Sequence, residues 1–121
     1  MNAHEKAIVA ARAAAEKVAT DVVVLDVGDI IGITEAFVVA SGSNTRQVKS
    51  ICDEIELALK IEADVSPRST EGLADASWVL VDYGDIIVHV FLTETREFYD
   101  LERLWSDAPR IEWQSGARAA I

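Results

Sequence analysis

Trp78 to Trp105, WVLVDYGDIIVHVFLTETREFYDLERLW, is the stretch around which the rest of the chain has to be arranged. Val79, Leu80 and Val81 form an apolar run that stops at Asp82-Tyr83-Gly84-Asp85, and a second run, Ile86 to Leu92, leaves the same tetrapeptide. Gly84 can take a positive φ at little steric cost, so the segment reads as a tight turn joining two strands. Both runs are rich in β-branched and aromatic residues, which suit a pleated surface. A short helix follows. Strict alternation is missing from the second strand: Ile86, Val88, Val90 and Leu92 line one face, and Ile87, His89 and Phe91 the other. A strand apolar on both faces is either central with helices on both sides or keeps one face for a partner.

Working outward, the segment from 45 to 61 carries a helical stripe, Val48, Ile51, Cys52, Ile55 and Leu59, with spacings of three or four. Ser43 or Asn44 is its candidate N-cap. Cys52 lies on the stripe and reads as a small buried hydrophobe. Asp53, Glu54 and Glu56 form the solvated face. Ala36 to Ala40 reads as a strand, and Val22 to Val27 as a near-continuous apolar strand buried on both sides. Between them Ile30, Ile31 and Ile33 are expected to pack inward. The Ala-rich segment from His4 to Ala19 is expected to be a first helix; Glu5 and Glu16 interrupt it and argue against a targeting leader. Residues 65 to 72 read as a loop with room for one edge strand. Helices interspersed with apolar strands argue for an α/β domain, a mixed sheet flanked by helices.

At 121 residues, half of them hydrophobic, the chain can bury a core as one domain. No apolar run approaches the ~18 residues of a membrane span. One cysteine excludes an internal disulfide and fits a reducing, cytoplasmic setting. The 21 acidic and 11 basic side chains give a formal charge of −10, and no basic run occurs. Nucleic-acid binders draw most of their affinity from Lys and Arg neutralising phosphates, so little direct RNA binding is expected. An acidic domain is instead steered toward basic partners, although many proteins are acidic for solubility alone.

Two blocks carry a resemblance to a known family. The first is Trp78 to Asp85, then Val88-His89-Val90-Phe91, then Arg96-Glu97-Phe98-Tyr99-Asp100-Leu101-Glu102-Arg103-Leu104-Trp105. The second is Val23-Val24-Leu25-Asp26-Val27, then Phe37 to Gly42, then Arg46-Gln47-Val48. Together they resemble the ribosomal silencing factors, the RsfS or Iojap family, over roughly residues 5 to 105. Residues 1–105 are therefore expected to form the family domain, with 106–121 a tail of unassigned role; there Ile111 and Trp113 could pack on the domain or on a second copy.

The resemblance implies a protein that binds the large ribosomal subunit through a basic protein at its subunit-joining face, the fourteenth in the usual numbering. Occupying that site would block small-subunit joining and repress translation under nutrient limitation. It also implies a homodimer in the free state and a nucleotidyltransferase-like topology. Alternatives are a large-subunit assembly factor or a residual nucleotide-binding enzyme that uses Gly42-Ser43 with Asp82 or Asp85.

Against catalysis, no Asp-x-Asp pair follows Ser41-Gly42-Ser43 on a strand, so the grip on two metals is missing; turn geometry is the simpler reason for Gly42. Only His4 and His89 are present, with no ligand pair at metal spacing. A Cys52–His89 dyad has no supporting motif. No catalytic residue, metal or cofactor is assigned.

Aromatic residues are the better candidates. Six of the eight (three Trp, three Phe, two Tyr in all) fall between Trp78 and Trp105, and interfaces are enriched in Trp, Tyr and Arg. Phe98 and Trp105, inside the helix, are assigned to the core; Trp78 and Tyr83, at strand ends, to a partner. Arg96 and Arg103 could pair with Glu97 or Asp100, and an interface role for Arg96 rests on the resemblance alone. Taken alone, His89 reads as a packed, hydrogen-bonded histidine; the resemblance puts it in or beside the interface. The candidate partner-binding set is Trp78, Leu80, Tyr83, His89, Phe91, Arg96 and Tyr99.

Overall fold

A computed structural model describes residues 1–114. Helix α1 (Ala3–Glu16) starts at Asn2, whose side chain accepts from the Glu5 N–H while Glu5 reaches back to the Asn2 N–H, a capping box. Its buried face is almost entirely alanine, which lets its backbone lie close to the neighbouring layer. The helix ends at Glu16 rather than Ala19. Val18 turns back at φ 61 and is exposed, and Gln47 Nε2 donates to the carbonyls of Lys17 and Val18, holding that turn.

Strand β1 (Thr20–Asp26) pairs antiparallel with β2 (Ala36–Gly42). The one-turn helix α2 (Gly28–Ile31) joins them and closes at Gly32, φ 81. That closure swings Ile33 outward to 82% exposure, and Ile30 is also exposed; of the three isoleucines expected inside, Ile31 alone packs on the core.

Asn44 caps α3 (Thr45–Ala63) by accepting from the Gln47 N–H. Val48, Ile51, Cys52, Ile55 and Leu59 are its buried residues, the stripe read from the sequence. A short edge strand β3 (Ser69–Glu71) precedes the hairpin of β4 (Trp78–Asp82) and β5 (Ile86–Leu92). The hairpin turns at Gly84, φ 90, whose N–H donates to Asp82 Oδ1. Two short helices follow, α4 (Thr93–Tyr99) and α5 (Leu101–Leu104), where one was expected; Asp100 at φ 50 separates them.

The sheet order is β1-β2-β5-β4-β3, with β2 and β5 parallel and the other pairs antiparallel. The fold is α/β, a mixed five-stranded sheet flanked by helices. On one face Val24, Ala36, Val38, Ala40, Val79, Val81, Ile86, Val88 and Val90 meet α1 and α3. On the other, Val23, Leu25, Phe37, Val39 and Phe91 meet Leu101, Ala108 and Trp105.

The segment after Trp105, for which packing on the domain or on a second copy stood open, lies along β1. Arg110 bridges to Leu25, the Asp26 N–H donates to Pro109 O, and the Ile111 N–H donates to Val24 O. Trp113 Nε1 donates to Val22 O, and Arg12 Nε to Trp113 O. This segment satisfies backbone groups that an open edge would expose. Ile111 and Trp113 thus pack on their own domain, and the packing shows no break at residue 105; 115–121 lie outside the described residues.

Candidate functional site

β5 sits between β2 and β4, and its two faces have different fates. Ile86, Val88 and Val90 are sealed beneath helices. Ile87, His89 and Phe91 point to the side covered only in part by α4, α5 and the segment after them. Register places Trp78 opposite Phe91 and Leu80 opposite His89 on β4. The Trp78 ring stacks on Phe91 with centroids 4.9 Å apart and lies 5.0 Å from Tyr99. Phe37 of β2 meets His89 edge-on at 4.7 Å and Trp105 at 5.6 Å. Trp78, Leu80 and Ile87 are half-buried and Tyr99 is 52% exposed, so the aromatic cluster reaches solvent.

At its centre, Trp78 Nε1 donates to His89 Nδ1 at 3.2 Å. An accepting Nδ1 leaves the ring proton on Nε2, which is buried and has no partner among the described residues. Burial pushes His89 down to about 4, so the ring is neutral near pH 7.

Two members of the predicted set stand elsewhere. Tyr83 belongs to the opposite face, beneath the helices. Burial, then Glu56 and Cys52, push its phenol pKa upward. The turn at Gly84 carries the ring round to α3, so Tyr83 does not join the Trp78 cluster. Arg96 is buried: it forms a bidentate pair with Glu102 at 2.8 and 2.9 Å, and Nη1 donates to Ser41 Oγ at 2.7 Å and Thr20 O at 3.5 Å. Its partner is Glu102 rather than Glu97 or Asp100, because the break at Asp100 turns α5 back toward α4. Hydrogen bonding from Arg96 holds the Glu102 carboxyl below its usual range. Arg96 therefore clamps α4 and α5 to the ends of β1 and β2 and offers no surface contact.

Phe98, expected in the core, is 81% exposed; α4 buries Arg96 and turns Phe98 to solvent. Trp105 is half-buried against Phe37, as expected for a core residue.

Gly42 lies in β2, and an added Cβ would sit 3.1 Å from the Val48 nitrogen. Close approach of α3, rather than turn geometry, is what glycine eases there. Because β2 and β5 run parallel in register, Gly42 lies beside Leu92, whereas Asp82 and Asp85 bracket the far end of the hairpin. The seven-residue strand separates them, about 20 Å at ~3.3 Å per residue. Asp85 is paired with Lys6 at 2.8 Å. Cys52 and His89 lie on opposite faces of the sheet, and burial pushes the Cys52 thiol up to about 12. Among the described residues no group of three or more His, Cys, Asp or Glu is placed to hold a metal ion, and no helix is long and apolar enough to cross a membrane.

Comparison with known proteins agrees with this architecture. A family model described as "Ribosomal silencing factor during starvation" matches residues 1–120, including the segment laid along β1. A Bacillus subtilis protein named ribosomal silencing factor RsfS is 39% identical over 111 residues, 89% of this chain and 91% of its own length. A mouse protein named mitochondrial assembly of ribosomal large subunit protein 1 is 33% identical across 73% of this chain and 40% of its own. A crystal structure from Chromobacterium violaceum superposes with a TM-score of 0.83 at 36% identity, covering 88% of both chains. With residues 1–120 matched by the family model and the sheet shared with a solved relative, the chain belongs to the ribosomal silencing factor family, RsfS.

Proposed function

We propose that this protein binds the large ribosomal subunit and works by occupying a surface rather than by catalysis. The observation that carries the reading is the aromatic face. Trp78 and Leu80 reach solvent above buried His89 and Phe91, with Tyr99 beside them, in a chain of net charge −10. Aromatic anchors over a packed base are what interface hot spots are made of. The acidic field favours a basic protein partner over RNA. The partner is the ribosomal protein of the subunit-joining face, the fourteenth of the large subunit, and occupying it blocks small-subunit joining. Nucleotide chemistry is disfavoured by the separation of Gly42 from Asp82 and Asp85.

The name of the mouse relative favours a second reading, a role in assembling the large subunit. Both roles need the same docking step. In the free state a homodimer would cover the aromatic face and compete with the subunit by mass action. The site of action is the cytoplasm.

Co-sedimentation with purified 50S subunits and with 70S ribosomes tests the reading, wild type beside Trp78→Ala. Wild type should pellet with free 50S and not with 70S. Trp78→Ala, checked for folding by its melting curve, should bind about 30-fold more weakly, the loss of ~2 kcal/mol at an aromatic anchor. A wild type left in the supernatant with 50S sinks the proposal. Binding 50S without impeding 30S joining would move the role to assembly.

A further inference from the structure

α4 exposes a phenylalanine that the fold does not use. Phe98 makes an edge-on contact with Tyr99 at 5.1 Å, and Tyr99 in turn lies 5.0 Å from Trp78. The aromatic face therefore does not stop at the strands. It runs from Phe91 through Trp78 and Tyr99 to Phe98, with Leu104 of α5 a further exposed apolar residue at 74%. The same two helices expose Glu94, Glu97 and Arg103, and Asp100 is exposed between them. The other arginine, Arg96, is turned inward, its charge matched by Glu102 in a bidentate pair. What faces solvent around Phe98 is thus an apolar ring with an acidic rim. The clamp on Ser41, Thr20 and Glu102 ties this pair of short helices to the sheet, so Phe98 is presented from a fixed support. A rigid aromatic loses little side-chain entropy on docking.

We propose that Phe98 is a primary anchor of the docking surface and that Glu94 and Glu97 form its rim, so that α4 receives an apolar patch flanked by Lys or Arg on a ribosomal protein. This rests on the reading that the protein binds the large subunit. The occupant is a basic protein surface, which the acidic rim complements; a homodimer over this face would set the same rim against itself, so it is the weaker of the two competing states.

The test measures 50S affinity for wild type, Phe98→Ala, the pair Glu94→Gln with Glu97→Gln, and Ile61→Ala, an exposed apolar residue of α3. Each side chain is exposed, so melting temperatures should stay near wild type. Phe98→Ala should weaken binding tenfold or more, and Ile61→Ala less than twofold. The Glu94/Glu97 pair should slow association several-fold at low salt and little at high salt, since screening removes long-range attraction. If wild type binds and Phe98→Ala binds equally well, the inference fails while the proposed function stands. If wild type itself does not bind, both fail. Should Phe98→Ala change only self-association in sedimentation velocity, the surface belongs to a second copy and the inference is overturned. An association rate of the Glu94/Glu97 pair equal to wild type at low salt removes the basic partner.

Discussion

Alternate residues of the same strands look out on two different surroundings. Toward α1 and α3 the sheet presents Ala36, Val38, Val88 and Val90, small or β-branched side chains with almost no solvent access, interlocked with an alanine-rich helix. On the other side it presents Phe37, His89 and Phe91, larger rings that are themselves buried, beside the half-buried Trp78, with His89 Nε2 left unpartnered among the described residues. Small side chains let layers approach closely and fill space, which serves stability. The half-buried Trp78, Leu80 and Ile87 leave apolar area at the surface, and the unpaired donor beneath them is a cost to the free protein. One face holds the fold together, and the other is the face proposed to meet a partner.

The strongest way to break that division is through the helix-covered face. Ile51→Ala removes a fully buried side chain and should cost about 2–5 kcal/mol in urea unfolding. Its folded fraction should bind 50S subunits as wild type does. Weaker binding by the fully folded variant would mean that the two faces are not separable.

On the aromatic face the lever is pH. Unfolded His89 takes a proton near its ordinary 6.5, whereas the folded ring does so only near 4. Between these values the unfolded state holds the extra proton, so stability is full above 6.5 and is lost as pH falls toward 4. The loss is on the order of 3 kcal/mol. Glu102, held below its usual range by Arg96, adds its own loss at more acid pH. Urea melts at intervals from pH 7 to 4.5 should show the His89 part of the slope, and His89→Phe should flatten it. A wild-type curve already flat in that window would mean that the histidine is not held neutral.

The smallest expected effect comes from the helix layer. Asn44→Ala removes the acceptor for the Gln47 N–H and should lower stability by about 1 kcal/mol. The 50S affinity should not change, because α3 packs on the opposite face of the sheet from the aromatic cluster. An affinity change as large as that of Trp78→Ala would show that α3 transmits to the aromatic face.

Much of this was legible in the residues alone. The turn at Gly84, the α3 stripe and the double-sided apolarity of β5 are local patterns, and each was read from spacing and side-chain type. The motif from Trp78 to Trp105 pointed to the family. Tyr83, Arg96, Phe98, Gly42 and Ile33 were misread for a common reason. Each has its role set by contact with another element of the fold or by one left-handed residue. Tyr83 faces Glu56 and Cys52, Arg96 reaches Thr20 and Ser41, and Gly42 admits Val48. Phe98 and Ile33 are turned out where short helices close at Asp100 and Gly32.

The sequence by itself determined that a mixed, helix-flanked sheet would form, because periodicity and turn chemistry act over a few residues and need no knowledge of the partner strand. Which side of that sheet would be sealed was decided only by tertiary structure. Burial depends on what packs above a residue, and α1, α3 and the strand-like segment after Pro109 come from the two ends and the middle of the chain.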